Sequence, residues 1–169
     1  MTVSEALREV TRLGIDTSPV VHFVERTPAY FPVCAGFFRA IDDNRVQAVA
    51  GALTLTEASV KPLRENDYVL VAGFRELLSG NGPLGMAAVT VSVADRAGDL
   101  RARYRLGIAG AVQVAACISA GCDAFLTGDK ALRRVVELTV SRRAAPSDAL
   151  ARLLSSSLGF REPKYLRAL

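Results

Sequence analysis

The chain has 169 residues, of which 50% are hydrophobic and 22% are charged. This length and composition predict one globular domain with a sizeable core, and they argue against a chain that is mainly disordered. The most apolar stretch, residues 46–55, is far shorter than the roughly 20 residues of a membrane-spanning helix. The N-terminal segment contains acidic residues and no apolar run, so we expect neither a membrane span nor a signal peptide.

The chain contains three cysteines, Cys34, Cys117 and Cys122, and one histidine, His22. An odd number of cysteines without an export signal is typical of a reducing compartment, and we expect the protein to be cytoplasmic. The single histidine argues against a zinc site built from Cys and His ligands. It also argues against a serine or cysteine triad, because nothing in the sequence places a nucleophile beside it.

The net charge of +4 is unevenly distributed along the chain. Residues 1–100 contain nine basic and twelve acidic residues, whereas residues 101–169 contain twelve basic and five acidic residues. A basic half beside an acidic half indicates a polyanionic partner such as nucleic acid, although a solvated arginine-rich surface would have the same composition.

Short apolar segments alternate with segments of helical pattern. The first predicted strand ends at residues 14–16, and the other three span 46–53, 86–91 and 123–127. The first two predicted helices begin at 17–19 and at Pro32. The next four span 54–63 with a bend at Pro62, 67–79, 92–104 with a cap at Ser92, and 109–120 with a stop at Gly121. The last predicted helix follows Asp129. This alternation predicts an α/β fold, a three-layer α/β/α sandwich with a mostly parallel sheet, over residues 1–144. Residues 145–169 are predicted to be a C-terminal helical extension, with a helix at 147–158 and an exposed tail.

Three acidic residues follow predicted strands directly: Asp16, Glu57 and Asp129. Each has a structural alternative, since Glu57 could complete a capping box with Thr54, Asp129 could cap the following helix, and Asp16 could be a turn residue. Ligand sites of parallel sheets lie beyond the carboxyl ends of the strands, so the three acids would share one cleft. Their charges would destabilise the fold unless a cation neutralises them or some of the acids are protonated. Oxygen ligands suit Mg²⁺ or Mn²⁺, and the matching chemistry is metal-assisted hydrolysis of a phosphodiester.

Four segments of the chain resemble the PIN-domain nucleases, and among them the VapC-type toxins of toxin–antitoxin pairs. They are LGIDTSPVVHFVE, ALTLTEASVKPLRE, ADRAGDLRARY and GAVQVAACISAGCDAFLTGDKALRRV, and the resemblance covers about residues 12–140. The resemblance implies a parallel sheet flanked by helices and an acidic pocket that binds Mg²⁺ or Mn²⁺. It also implies endoribonuclease activity, often on structured RNA such as tRNA, a homodimer, and a small antitoxin whose tail fills the pocket.

The resemblance assigns the catalytic and metal-binding acids to Asp16, Glu57 and Asp129. It makes Thr127, two residues before the last acid, a hydroxyl that orients the site, and Thr17, next to the first acid, a second supporting hydroxyl.

One position departs from the family pattern. The family usually has an acid just before the small-residue helix, and this chain has Gly110 there. The change removes one ligand or water-positioning group from the cleft. Gln113 lies one turn further along the helix, but its neutral amide is a poorer Mg²⁺ ligand than a carboxylate.

Two functions therefore remain open. The first is a ribonuclease whose activity Gly110 weakens, and the second is a module that keeps the fold and binds RNA or a protein without cleavage. A flavodoxin-like or other nucleotide-binding protein is less favoured, because no glycine-rich loop follows the first strand. For RNA, the basic residues expected to hold phosphates around the acidic cleft are Arg103, Lys130, Arg133 and Arg134.

Overall fold

The structure, a computed structural model, describes residues 3–82 and 84–138. Four strands form one sheet in this part of the chain: β1 (Arg12–Ile15), β2 (Gln47–Gly51), β3 (Leu84–Ala87) and β4 (Ala124–Leu126). Seven helices accompany them in the same residues: α1 (Val3–Ala6), α2 (Thr17–Val24), α3 (Phe31–Asp42), α4 (Leu53–Arg64), α5 (Tyr68–Leu77), α6 (Val91–Tyr104) and α7 (Ile108–Ser119). The end of the domain expected at residue 144 and the helical extension expected at 145–169 lie outside the described residues. No helix in the described ranges is long and apolar enough to cross a membrane.

The strands of the sheet are all parallel and lie in the order β3-β2-β1-β4. Ile15 at the end of β1 pairs with Ala50 of β2 on one side and with Leu126 of β4 on the other, so these carboxyl ends meet at one edge. The chain moves outward from β1 to β3 and then returns to the opposite side of β1 for β4. This reversal creates a topological switch point between β1 and β4, which is where ligands bind in sheets of this kind. The predicted α/β sandwich with a parallel sheet is confirmed.

Two apolar cores lie on opposite faces of the sheet, as the three-layer prediction requires. The alternation of side chains along β1 sends Leu13 and Ile15 to the core shared with α2–α5, and it leaves Gly14 on the face covered by α7. A Cβ at Gly14 would lie 2.7 Å from the ring of Phe125 and 2.9 Å from the Cβ of Cys117. Glycine at this position therefore allows α7 to pack directly against β1.

The small-residue helix near the end of the domain forms nearly as predicted. The prediction was 109–120 with a stop at Gly121, and α7 runs from Ile108 to Ser119, with Gly121 in the left-handed region at φ +73°. Left-handed backbone after a helix is a common termination, and glycine adopts it without a steric penalty. Half of the residues of this helix are buried, so α7 packs as a core element against the sheet.

The boundaries predicted around residues 86–92 are wrong. The strand is Leu84–Ala87, and the helix begins at Val91 with Thr90 as its N-cap instead of Ser92. The hydroxyl of Thr90 accepts a hydrogen bond from the backbone N–H of Val93 at 3.3 Å. The β-branched residues from 89 to 91 imitate a strand in sequence, but this hydrogen bond starts the helix there.

The helix predicted directly after Asp129 is also not formed. The segment makes one 3₁₀ turn, Leu132–Arg134, and becomes extended at Val135 with ψ 114°. Asp129 Oδ1 accepts a hydrogen bond from the backbone N–H of Ala131 at 2.7 Å, which bends the chain within two residues. The acid therefore lies in a tight loop after β4 rather than at the start of a helix.

Candidate active site

Asp16 lies directly after β1, where the sheet ends. It is the N-cap of α2, with extended backbone at ψ 167°, and its Oδ1 accepts from the backbone N–H of Thr17 at 2.8 Å. The sequence predicts that this helix begins at 17–19, and the acid just before it is the cap. Its other carboxylate oxygen, Oδ2, accepts from the hydroxyl of Thr127 at 2.5 Å, and only 8% of the residue is exposed. Asp16 is thus a buried carboxylate held from two directions.

Thr127 joins two of the three predicted acids. It follows β4, is buried, donates its hydroxyl hydrogen to Asp16 and accepts a hydrogen bond from the backbone N–H of Asp129 at 2.9 Å. One side chain therefore sets both the Asp16 carboxylate and the loop on which Asp129 lies. This geometry is consistent with the orienting role that the sequence predicted for Thr127.

Glu57 reaches the same place from α4. The alternative capping box with Thr54 is not formed, because α4 begins at Leu53 after Ala52 and Glu57 lies in its second turn. Its carboxylate Oε2 instead accepts hydrogen bonds from the hydroxyl of Thr17 at 2.5 Å and from the side-chain amide of Gln113. The structural alternative for Glu57 is wrong, and its carboxylate is directed to the sheet edge.

The three acids line one cavity of about 830 Å³ at the β1–β4 switch point. Burial raises the pKa of Asp16, the hydrogen bonds from Thr127 and Thr17 lower it, and the charges of Glu57 and Asp129 raise it further. No lysine or arginine in the described part of the chain forms an ion pair with any of these three acids. The three acids of the cavity therefore form no direct ion pair with a basic side chain among these residues.

Gly110 of α7 also lines this cavity. A Cβ on Gly110 would lie 2.8 Å from Cδ2 of Leu132, a residue of the 3₁₀ turn that is 4% exposed. The space that a side chain at residue 110 would enter is therefore already occupied by leucine. The sequence could reveal the missing acid, but it could not reveal this contact.

The predicted RNA-binding residues have different surroundings. Lys130 is exposed and lines the cavity, and Arg134 is exposed, with its Nε donating to the carbonyl oxygen of Ala131 at 3.3 Å. Arg103 forms ion pairs with Asp99 and Glu137 on the surface of α6, and the side chain of Arg133 lies outside the described part of the structure. Lys130 is thus the member of the set that the structure places beside the acids.

Part of the cavity wall was not predicted from the sequence. Beyond the acids, residues of α2 and α3 extend the cavity with an apolar surface that includes Val33 and Phe37. His22 and Tyr30 line the same region, and their rings stack with centroids 4.3 Å apart. The sequence predicts a helix that begins at Pro32, and no feature of the sequence distinguishes its cavity-facing residues from the others.

The donors at this site fit a hard divalent cation by their chemistry. They are carboxylate and hydroxyl oxygens, the ligand type that Mg²⁺ and Mn²⁺ prefer. No three His, Cys, Asp or Glu side chains among the described residues are arranged to hold one metal ion together. The arrangement is therefore compatible with the common Mg²⁺ pattern of one or two carboxylates completed by water and substrate phosphate, and not with a closed all-protein cage.

The fold and this cavity define an α/β protein with an acidic site at its switch point. Residues 14–138 match the family model described as PIN domain, which is most of the chain, so the chain belongs to the PIN domain family. PIN domains are generally nucleases, and they generally use divalent metals. No curated protein matches the chain in sequence.

Proposed function

We propose that this protein is an endoribonuclease dependent on Mg²⁺ or Mn²⁺, and that it acts as the VapC-type toxin of a toxin–antitoxin pair. The observation that carries the proposal is the set of three carboxylates in one cavity without an ion-pair partner. Asp16 is buried, and burial together with the nearby charges of Glu57 and Asp129 disfavours its ionised form, so a cation that binds in the cavity would offset this cost. Membership of the PIN domain family supports nuclease chemistry.

In this proposal Asp16 and Asp129 would hold the cation, and Glu57 would hold it or the attacking water. Such an ion would activate the water and offset the charge that develops on the phosphate. Thr127 and the backbone N–H of Thr17 fix the Asp16 carboxylate by hydrogen bonds. Lys130, beside the acids, contacts an RNA phosphate. The overall change is addition of water across one P–O bond of the RNA backbone, with a proton passing to the departing oxygen.

The partners in this proposal follow from the same assignment. The substrate is RNA, with structured RNA such as tRNA as the first choice, and the protein acts as a cytoplasmic homodimer. A cognate antitoxin would silence it by placing a tail in the cavity, whose apolar wall from α2 and α3 suits a peptide with apolar side chains.

A second candidate is a PIN-fold module that binds RNA or a protein without cleavage. The specific observation that favours it is Leu132, which fills the space at Gly110. A protein that needed four acids would not keep this space closed with an apolar side chain.

The test is cleavage of total RNA and of a tRNA pool by the full chain with Mg²⁺, Mn²⁺ or a chelator. We expect chelator-sensitive cleavage that Asp16→Asn, Glu57→Gln and Asp129→Asn each abolish. Glu65→Gln is the matched control, because Glu65 is the exposed C-cap of the same helix that carries Glu57. RNA binding without cleavage under every ion condition would instead establish the binding module.

A further inference from the structure

Gln113 is the most unusual buried residue of this cavity. It is 1% exposed, and the residues that follow it in α7, Val114, Ala115 and Ala116, are apolar and buried. Burial of an amide is unfavourable unless its polar atoms are hydrogen-bonded, and the Oε1 of Gln113 has no hydrogen-bond partner in the described residues. Stability alone therefore does not account for a glutamine at this position.

The amide nitrogen of Gln113 makes both of its contacts with the acidic site. It donates to the hydroxyl oxygen of Thr17 at 2.8 Å and to Oε2 of Glu57. The orientation of the amide follows from chemistry, because an ionised carboxylate only accepts hydrogen bonds and so the nitrogen must face it. Thr17 completes the arrangement by donating its own hydroxyl hydrogen to the same Oε2.

These contacts hold one oxygen of Glu57 and leave the other available. Oε2 receives two donors, one from α2 and one from α7, whereas Oε1 accepts no hydrogen bond within the described residues. A flexible glutamate on α4 is thereby fixed in one orientation at the cavity wall. Fixing a ligand through outer hydrogen bonds is a recognised way to tune a metal or water site.

We infer that Gln113 is a positioning residue for Glu57, which keeps its Oε1 directed to the cation or water of the site. The inference rests on the proposed function, since it gives Glu57 a role in that reaction. This role requires no contact of Gln113 with RNA or with the reacting atoms. It acts through Glu57 and Thr17. By orienting Glu57 it supports a site that has glycine rather than an acid at residue 110.

The first experiment needs no metal and no substrate. In the metal-free protein, NMR should show that the side-chain amide protons of Gln113 are protected from exchange with solvent. Glu57→Ala and Thr17→Val should each reduce that protection, and Glu65→Ala should leave it unchanged. Protection that persists in both Glu57→Ala and Thr17→Val would overturn the inference.

The second experiment measures Mn²⁺ affinity by calorimetry and thermal unfolding in chelator for Gln113→Met, which keeps the length of the side chain and removes the amide. We expect the affinity to fall roughly 10- to 100-fold, the range for loss of an outer hydrogen bond to a ligand, without a lower melting temperature in chelator. In cleavage, kcat should fall while KM is unchanged. Gln47→Met is the matched control, because Gln47 is exposed at the start of β2 and its side chain bonds only to Arg12 among the described residues.

The outcomes separate the two proposals. A lower melting temperature with unchanged Mn²⁺ affinity would make Gln113 a structural residue and overturn the inference while the proposed function stands. If the unaltered protein binds no Mn²⁺, the proposed metal dependence fails, and the amide-protection experiment still decides whether Gln113 holds Glu57.

Discussion

A Cβ atom at Gly110 would lie 2.8 Å from Cδ2 of Leu132, so the leucine must shift before residue 110 can carry a side chain. We therefore expect Gly110→Asp to destabilise the protein by about 1–3 kcal/mol, the usual cost of overpacking. Leu132→Ala in the same chain should relieve the contact, giving a coupling energy of about 0.5–3 kcal/mol in a double-mutant cycle. Urea unfolding in chelator measures all four proteins.

Gly98 provides a matched control for this contact. It lies in the interior of α6, and a Cβ there would meet nothing within 4 Å. Gly98→Ala should stabilise the protein by about 0.5–1 kcal/mol, because alanine favours helix more than glycine does. Gly110→Ala should lack this gain, and an equal gain at both positions would show that Leu132 does not restrict residue 110.

The contact between Gly110 and Leu132 should also decide the result of restoring an acid to the cavity. Gly110→Asp alone should give little new cleavage of RNA, because Leu132 prevents the carboxylate from taking its place. Gly110→Asp combined with Leu132→Ala should raise chelator-sensitive cleavage above that of the unaltered chain. Leu132→Ala alone is the control, and a gain in that variant would attribute the effect to access rather than to the acid.

Thr127 supports Asp16 through a single hydroxyl. Thr127→Val keeps the shape of the side chain and removes the hydrogen bond that lowers the pKa of Asp16. We expect the pKa of Asp16 to rise further above its ordinary value, because burial and the charges of Glu57 and Asp129 are then less opposed. NMR titration of the carboxyl carbons in metal-free protein measures the change, and Thr56→Val on exposed α4 surface should leave the pKa unaltered.

Asp16 and Asp123 should affect the pH dependence of stability in opposite directions. The pKa of Asp16 is raised, mainly by burial, so the folded state binds its proton more tightly than the unfolded state does. The ionised Asp16 therefore destabilises the metal-free protein at neutral pH. The free energy of unfolding should increase as the pH falls from this raised pKa to about 3.9, the pKa of aspartate in the unfolded state. Asp16→Asn should stabilise the metal-free protein at pH 7, and this difference should shrink towards pH 4.

Asp123 provides the opposite case at the other end of the strands, just before β4. Hydrogen bonds from the hydroxyl of Thr11 and from the backbone N–H groups of Arg12 and Thr11 lower its pKa. Its contribution to stability is present above the unfolded pKa and is lost as the pH falls through the lowered value. Asp123→Asn should therefore destabilise the protein at pH 7, with a smaller effect in acid. Urea unfolding between pH 3 and 8 in chelator tests both variants, and a shared sign would contradict the assignment.

The sequence predicts which acids belong to the candidate site, but it does not predict the side chains that hydrogen-bond to them. Asp16 and Asp129 follow short apolar segments that are recognisable as buried strands, and the parallel sheet then brings their ends together. Glu57 looked equally suited to a capping box with Thr54, because local spacing alone cannot distinguish a cap from a side chain turned to a distant partner. Its actual partners are 40 and 56 positions away, at Thr17 and Gln113, and only the packing of α2, α4 and α7 establishes those contacts.

The loop after β4 shows a second limit of the sequence. The segment following Asp129 has good helix-forming residues, yet it makes only the 3₁₀ turn Leu132–Arg134. The turn carries Leu132 into contact with Gly110, and tertiary packing of this kind overrides helix propensity. The effect of the missing acid therefore depends on a residue more than twenty positions away.

Salt dependence of RNA binding should distinguish the basic residues. Lys130 lines the acidic cavity, and Arg134, four positions further along the chain, is exposed. Arg103 is already paired with Asp99 and Glu137. Lys130→Ala and Arg134→Ala should each lower the slope of log Kd against log salt by about 1, since each removes a phosphate contact. Arg103→Ala should leave the slope unchanged, because its charge is neutralised by two carboxylates. A slope that falls only in Arg103→Ala would place the RNA along α6 and away from the acidic cavity.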